Sequence, residues 1–361
     1  MAGARPCYVL LWAKFGASPF YRKYKEQRME SGILKPTTIN CNVFNVFPSF
    51  AMLAGMQLDV FTPLKDGPMD AKKLAGTLDV REDKLSPLLY LLVVAGLLQV
   101  ENGVFANTEE SAKFLVRGRP EYMGESSGFY KLLWELALKT GESIRTGKPQ
   151  AKLDFHNLPD DQLLDYFSKQ VHHSLSGGNE IAEKIDFSKF KMLLDAGGGT
   201  GGVSISICSK YPHLKATVAD LPKVVKVAEH FIAENNMADR IGVSATDLCQ
   251  DYPAGMYDVA ILRAVIQTLS QEEAEATLHN VSRSMLPGGQ IYIFGNVLKA
   301  DRLGPPISLA YSLVFLNSYD NGQAYTENEY REMLEKAGFA GISVDYEFLD
   351  GMCLVQAQKM S

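Results

Sequence analysis

Leu193-Leu194-Asp195-Ala196-Gly197-Gly198-Gly199-Thr200-Gly201-Gly202 is the stretch whose reading decides the fold. The apolar run before the glycines reads as a short buried strand, and Val203-Ser204-Ile205-Ser206-Ile207-Cys208 after them as a helix. Glycines between the two let the backbone turn tightly and come close to a ligand. Such a turn alone could hold any nucleotide, so the segments downstream decide. Ala216-Thr217-Val218-Ala219-Asp220 reads as a second strand, ending about twenty residues on in a carboxylate that can accept from both hydroxyls of a ribose. A third strand leads into Ala245-Thr246-Asp247, where a carboxylate can take an adenine amino proton, and a fourth, Tyr257 to Leu262, ends in Arg263. Gly288 to Leu298 supplies a further strand. Short apolar strands alternating with helices predict an α/β fold, a Rossmann-like doubly wound and mostly parallel sheet.

The first third of the chain has another texture. Ala51 to Leu64 carries apolar residues at helical spacing, and Asp70 stands where its carboxylate can cap the helix Ala71–Leu78. Asp83 to Leu98 reads as a second, strongly apolar helix, and Asn102-Gly103 as the tight turn of a hairpin. Two helices followed by a wing make a winged-helix pattern. The second helix is too apolar for a DNA groove, and 36 Lys+Arg against 42 Asp+Glu leave a net charge of −6, so a nucleic-acid partner is not expected. The apolar faces predict burial between subunits of a homodimer. The expected organisation is an N-terminal extension (1–39), a winged-helix dimerisation domain taken as all-helical (40–118), a helical linker with acceptor-pocket helices (119–190) and a Rossmann-like domain (191–361).

At 361 residues, 46% of them hydrophobic and 22% charged, the chain is long enough for two domains and ordinary for a globular protein. Five scattered cysteines form no CxxC pair or Cys/His cluster, so neither a disulfide framework nor a metal site is expected. No apolar stretch of about eighteen residues is evident, so no membrane span is expected. The apolar stretch Cys7–Trp12 precedes a basic run, the wrong order for a signal peptide, and reads instead as a helix packing on a partner. These features favour the cytoplasm.

The motifs together resemble the class I S-adenosylmethionine-dependent methyltransferases. Over residues 40–358 the chain is similar to the plant-type small-molecule O-methyltransferases and their bacterial relatives. The resemblance rests on Asp195–Gly201, on Asp220-Leu221-Pro222, on Leu286–Gly289 and on Glu335–Phe339, and on the N-terminal winged helix. It implies S-adenosyl-L-methionine as cofactor and a small-molecule acceptor. It also implies that Asp195, Gly197 and Gly199 hold the methionine part, Asp220 with Leu221 the ribose, Asp247 and Leu248 the adenine. Arg263 stands where the family often has a lysine beside the cofactor, although a plain surface ion pair is its bland reading.

The resemblance breaks at the family's general base. Where O-methylating members carry a histidine just after the fourth strand, this chain has Gln267, which takes no proton at neutral pH. The histidine's two acidic partners are missing as well: no carboxylate stands near Gly295-Asn296, and the family's Gly-Lys-Glu-Arg-Thr is Gly322-Gln323-Ala324-Tyr325-Thr326. A phenol must lose its proton to attack, whereas a thioether sulfur or neutral amine already has a free lone pair, and an aromatic carbon loses its proton afterwards. The alternative is that His172 or His173 serves as base from the opposite wall. Base-less relatives methylate a bacteriochlorophyllide ring carbon or the sulfur of 4-methylthio-2-hydroxybutyrate in dimethylsulfoniopropionate synthesis. Polar and aromatic candidates for the acceptor wall, Tyr130, Trp134, Tyr311, Asn317 and Tyr319, favour the small thioether. Loss of the base would equally permit a relative that keeps the cofactor and methylates nothing.

Overall fold

The computed structural model describes residues 36–349 and 351–361, so the predicted helix around Cys7–Trp12 lies outside the described residues. The chain divides into two compact units, one ending at Trp134 and the other beginning at Glu135.

The N-terminal unit opens with helices α1 (Thr37–Phe44) and α2 (Val46–Gln57). After the short strand β1 (Met69–Asp70) comes α3 (Ala71–Leu78), capped as expected by the Asp70 carboxylate, which accepts from the Lys73 N–H at 2.7 Å. Helix α4 (Glu82–Val94) leads into the hairpin β2 (Leu98–Glu101) and β3 (Val104–Asn107). Asn102 and Gly103 take φ of 50° and 78°, the two positive angles a two-residue hairpin turn requires. The wing is thus the expected hairpin with β1 added as a third strand, order β1-β3-β2, so the label all-helical does not describe this domain. Leu74, Leu85, Leu89, Leu92, Leu98 and Phe105 form its buried core. By length and composition Thr37–Gln57, 21 residues of mean hydropathy 1.2, could cross a membrane, contrary to the sequence expectation that no segment could. Asn45 interrupts the run between α1 and α2. Helix α5 (Glu109–Phe114) follows, and α6 (Ser127–Ala137) contains the boundary between the units.

The C-terminal unit begins with α7 (Thr140–Thr146), α8 (Asp160–Ser168) and α9 (Val171–Lys184). These fall in the stretch expected as a helical linker with acceptor-pocket helices, and α9 packs tightly on the α/β fold. A Cβ at Gly178 would lie 2.9 Å from the Val203 Cα, so only glycine lets the two helices approach this closely. Next come β4 (Met192–Ala196), α10 (Gly202–Lys210), β5 (Lys215–Asp220), α11 (Pro222–Glu234), β6 (Ile241–Ala245) and β7 (Tyr257–Arg263). The chain ends with α12 (Gln271–Arg283), β8 (Met285–Gly295), α13 (Pro306–Ser318), α14 (Glu327–Lys336), β9 (Phe339–Leu349) and β10 (Met352–Lys359).

The seven strands order as β6-β5-β4-β7-β8-β10-β9, the first five parallel, β10 antiparallel to β8, and β9 antiparallel to β10. Along the central strands successive residues bury into opposite cores: Leu193, Val259 and Ile261 into one, Leu194, Ala260 and Leu262 into the other. Burial on both faces is what makes these strands continuous apolar runs. Because β4 pairs with β5 on one side and β7 on the other, the chain order reverses at β4. A crevice opens there, at the carboxyl ends of the strands, where α/β sheets bind ligands.

Candidate functional site

A cavity of about 400 Å³ fills this crevice. Of the residues proposed from sequence for the cofactor, Asp195, Gly197, Gly199, Asp220, Leu221, Asp247, Leu248 and Arg263 all line it. They come from the ends of four parallel strands, which is why residues so far apart in sequence converge.

The glycine loop is shaped by contact as much as by turning. Gly197 (φ 71°) donates its N–H to the Ala219 carbonyl at 2.7 Å, tying the loop to β5. A Cβ at Gly197 would lie 2.5 Å from Val265 Cγ2, so the loop and the turn after β7 touch where no side chain fits. Gly199 (φ 56°) donates to Asp220 Oδ2 at 2.8 Å, and Leu221 N–H donates to Asp220 Oδ1 at 2.8 Å. A single carboxylate therefore fixes both the loop and the start of α11.

Asp195 is 1% exposed. Ser204 Oγ donates to its Oδ2 at 2.8 Å, while Oδ1 has no partner. A buried acceptor left unpaired costs about 1–3 kcal/mol, so the cradle is built around a group the protein does not satisfy. Burial pushes the Asp195 carboxyl up to about 6, with the Ser204 hydrogen bond opposing and the Asp220 charge reinforcing the rise. Burial likewise lifts Asp220 to about 6, against the pull of the Gly199 and Leu221 N–H groups.

Arg263 is no surface ion pair. Its Nε is buried without a partner, and its Nη2 lies 3.1 Å from His173 Nε2. Burial lowers the guanidinium pKa, and the Asp195 charge partly restores it. His173, on α9, lines the cavity, and its pKa is lowered first by burial and then by the Arg263 charge. Since an arginine can only donate, the Nε2 lone pair of a neutral His173 is engaged by Arg263. His172 is exposed and is not among the lining residues.

Gln267 is 2% exposed and turned out of the cavity, although its neighbours Ala264, Val265, Thr268 and Leu269 line it. The acceptor candidates separate. Tyr319 lines the cavity; its phenol is deeply buried, which raises its pKa. Asn317 is wholly buried, and its amide is consumed within the fold: Oδ1 accepts from Ser143 Oγ at 2.6 Å, and Nδ2 donates to Thr140 Oγ1 at 2.9 Å and to the Leu313 carbonyl at 2.6 Å. It clasps α13 to α7. Tyr311 stacks on Phe315 at 5.9 Å. Tyr130 and Trp134 belong to the N-terminal unit, where Tyr130 packs on the core and Trp134 meets Phe50 edge-on at 5.4 Å.

Sequence reasoning missed the aromatic wall. Phe155, Tyr166 and Phe167 line the cavity with ring centroids 5.3–5.6 Å apart, and a Cβ at Gly199 would lie 3.1 Å from Phe167. Aromatic residues preceding α9 are a weak signal, because core packing uses the same residues. A second, more open cavity of about 460 Å³ shares only Tyr319 with the first and holds none of the glycine loop. Among the described residues no three His, Cys, Asp or Glu side chains converge as a metal site.

The residues fit S-adenosylmethionine: a glycine cradle a Cβ would fill, a buried carboxylate with an unpaired oxygen for a cation, and acidic ends on the next two parallel strands. Comparison with known proteins agrees. The family model of the O-methyltransferase domain matches residues 155–340, and that of the O-methyltransferase dimerisation domain matches residues 42–117. The chain is 26% identical to the 3-hydroxy-5-methyl-1-naphthoate 3-O-methyltransferase of Streptomyces sahachiroi over 84% of its own length and 89% of that protein's. It is 27% identical to the L-tyrosine C(3)-methyltransferase of Streptomyces lavendulae, over 79% and 82% respectively. The solved structure of human N-acetylserotonin methyltransferase in complex with SAM superposes with a TM-score of 0.73 at 22% identity, covering 92% of this chain and all of that one. With a dimerisation domain followed by a Rossmann-like catalytic domain, this chain belongs to the O-methyltransferase family and is an S-adenosylmethionine-dependent methyltransferase.

Proposed function

We propose that the chain methylates a small acceptor that has no proton to lose before it attacks, with a thioether sulfur such as that of 4-methylthio-2-hydroxybutyrate favoured. The observation that carries this is the turn after β7. By the resemblance an amide, Gln267, buried against Gly295, stands at the base position, and no carboxylate stands near Gly295-Asn296 or in Gly322-Gln323-Ala324-Tyr325-Thr326, where the base's acidic partners would be. The cavity histidine, His173, has its lone pair facing Arg263.

In this reading Asp220 and Leu221 hold the ribose, Asp247 and Leu248 the adenine, and Asp195, Gly197, Gly199 and Arg263 the methionine end. S-adenosylmethionine supplies a methyl group on a sulfonium, already activated for displacement. A lone pair of the acceptor sulfur forms the new S–C bond as the old one breaks, and the positive charge passes to the product. No proton moves. The protein's work is then alignment and an electrostatic environment for the moving charge, to which the Phe155, Tyr166, Phe167 and Tyr319 rings and the Asp195 carboxylate contribute.

Incubation with methyl-labelled S-adenosylmethionine and a thioether, a phenol, an amine and L-tyrosine tests the reading. Label in the sulfonium product supports it; turnover of the phenol alone overturns it.

We also assign a homodimer through the N-terminal unit. Ile39, Val43, Phe44, Phe47 and Phe50 are exposed along α1 and α2, more apolar surface than a lone helix pair leaves in water. A monomer by light scattering at micromolar concentration would contradict that. The free thiols of Cys41, Cys208, Cys249 and Cys353 suit a reducing compartment such as the cytoplasm.

A further inference from the structure

Gln267 lies on the 3-10 turn Ile266–Thr268, between residues that line the donor cavity on both sides. Its backbone carbonyl accepts from Gln323 N–H at 2.9 Å, and a Cβ at Gly322 would lie 3.1 Å from that oxygen. Its side chain runs to the end of β8, where Oε1 is buried without a partner. A Cβ on Gly295 would stand 2.6 Å from this oxygen, closer than real Cβ contacts come. The amide at 267 and a side chain at 295 thus compete for one space. On the other flank of the turn, Val265 presses on Gly197 of the donor-binding loop.

We propose that Gln267 is a positioning residue that works as one unit with Gly295 and Gly322. Wedged between the two glycines, it fixes the turn 264–269, and through Val265 it sets the seat of the glycine loop. An unpaired buried amide oxygen is costly, and such a group persists where its surroundings over-determine it. Gln267 touches no reactant here; its effect reaches the donor through the turn. A side chain at position 295 would have to displace the buried Gln267 amide, so the residue types at the two positions are sterically coupled. This inference needs only the donor cavity, not the identity of the acceptor.

The test uses the full-length protein and S-adenosylhomocysteine titrated by calorimetry without acceptor. Gly295→Ala overpacks the wedge and should weaken binding by about tenfold or more. In a Gln267→Ala background the same substitution should change the dissociation constant by less than about twofold, since the competing side chain is gone. A purely structural role would lower the melting temperature and leave the dissociation constant unchanged, which would overturn the proposal. So would equal effects of Gly295→Ala in both backgrounds. If Gly295→Ala alone does not fold, the double variant decides: folding and binding like Gln267→Ala support the proposal, and failure to fold refutes it.

Discussion

At the carboxyl ends of β4 and β5 the molecule sets two carboxylates, the buried Asp195 and the half-buried Asp220, in one cleft and leaves an oxygen of the first unpaired. At the ends of β7 and β8, and in the turn after α13, it has an amide, a glycine and an alanine: Gln267, Gly295 and Ala324. Burying carboxylates costs stability, so they persist where a ligand's hydroxyls and positive charge satisfy them. None of these three residues takes a proton at neutral pH, and the proposed acceptor requires none that does. The contrast separates the two demands of a methyltransferase. Holding the donor requires charge in fixed places. Activating the acceptor requires a proton relay only if the acceptor has a proton to give.

The largest expected effect falls on the donor half. Gly197→Ala places a methyl 2.5 Å from Val265 at a positive φ, and overpacking with left-handed strain should cost donor binding about 2–4 kcal/mol. Affinity within a factor of two of the parent would break the account of the cradle. Asp220→Ala removes a carboxylate that braces the loop and that the proposal assigns to the ribose, and should weaken S-adenosylhomocysteine by about 1.5–3 kcal/mol. An unchanged calorimetric affinity would sink the ribose assignment. Asn317→Ala sharpens the comparison from the other half. It should lower stability by about 1–3 kcal/mol through its broken clasp, while the donor dissociation constant stays put.

The pH response is smaller and has a definite sign. In the donor-free protein Asp195 and Asp220 hold protons up to about pH 6, against an ordinary value of 3.8. Between those values the folded chain binds more protons than the unfolded one, so these two groups make stability fall as pH rises towards 6, with no further loss above it. Donor affinity should run the other way, weakening as pH drops below about 6, because the bound donor favours the ionised carboxylates. Calorimetry and thermal melts from about pH 5 to 7.5 check both; a donor affinity flat across that window would contradict the assignment. The smallest effect belongs to His172→Ala. The residue is exposed and outside the cleft lining, and kcat should not change.

How much of this was legible depended on whether backbone or side-chain direction carried the information. The glycine loop, Asp220 and the Asn102-Gly103 turn were readable because their conformations restrict the residue type. The closing hairpin β9–β10 was not read, although Phe339 to Lys359 alternates polar and apolar residues around Asp350-Gly351, a turn signal. Gln267 was legible as the missing base but not as a wedge, because a sequence does not tell which side of a turn an amide faces. Asn317 looked like a polar residue for an acceptor; only the fold brings Ser143 and Thr140 from α7 to consume its hydrogen bonds. Phe155, Tyr166 and Phe167 carried no mark that distinguishes a cavity wall from a core.

The most direct test of the central claim is kcat against pH with 4-methylthio-2-hydroxybutyrate as acceptor. Methyl transfer that needs no base predicts a flat profile from about pH 6.5 to 9, with His173→Ala raising KM more than it lowers kcat. A profile that follows one group with a pKa near 6–7, together with a loss of about 10²–10⁴ in kcat on removing His173, would contradict it and make that histidine the base.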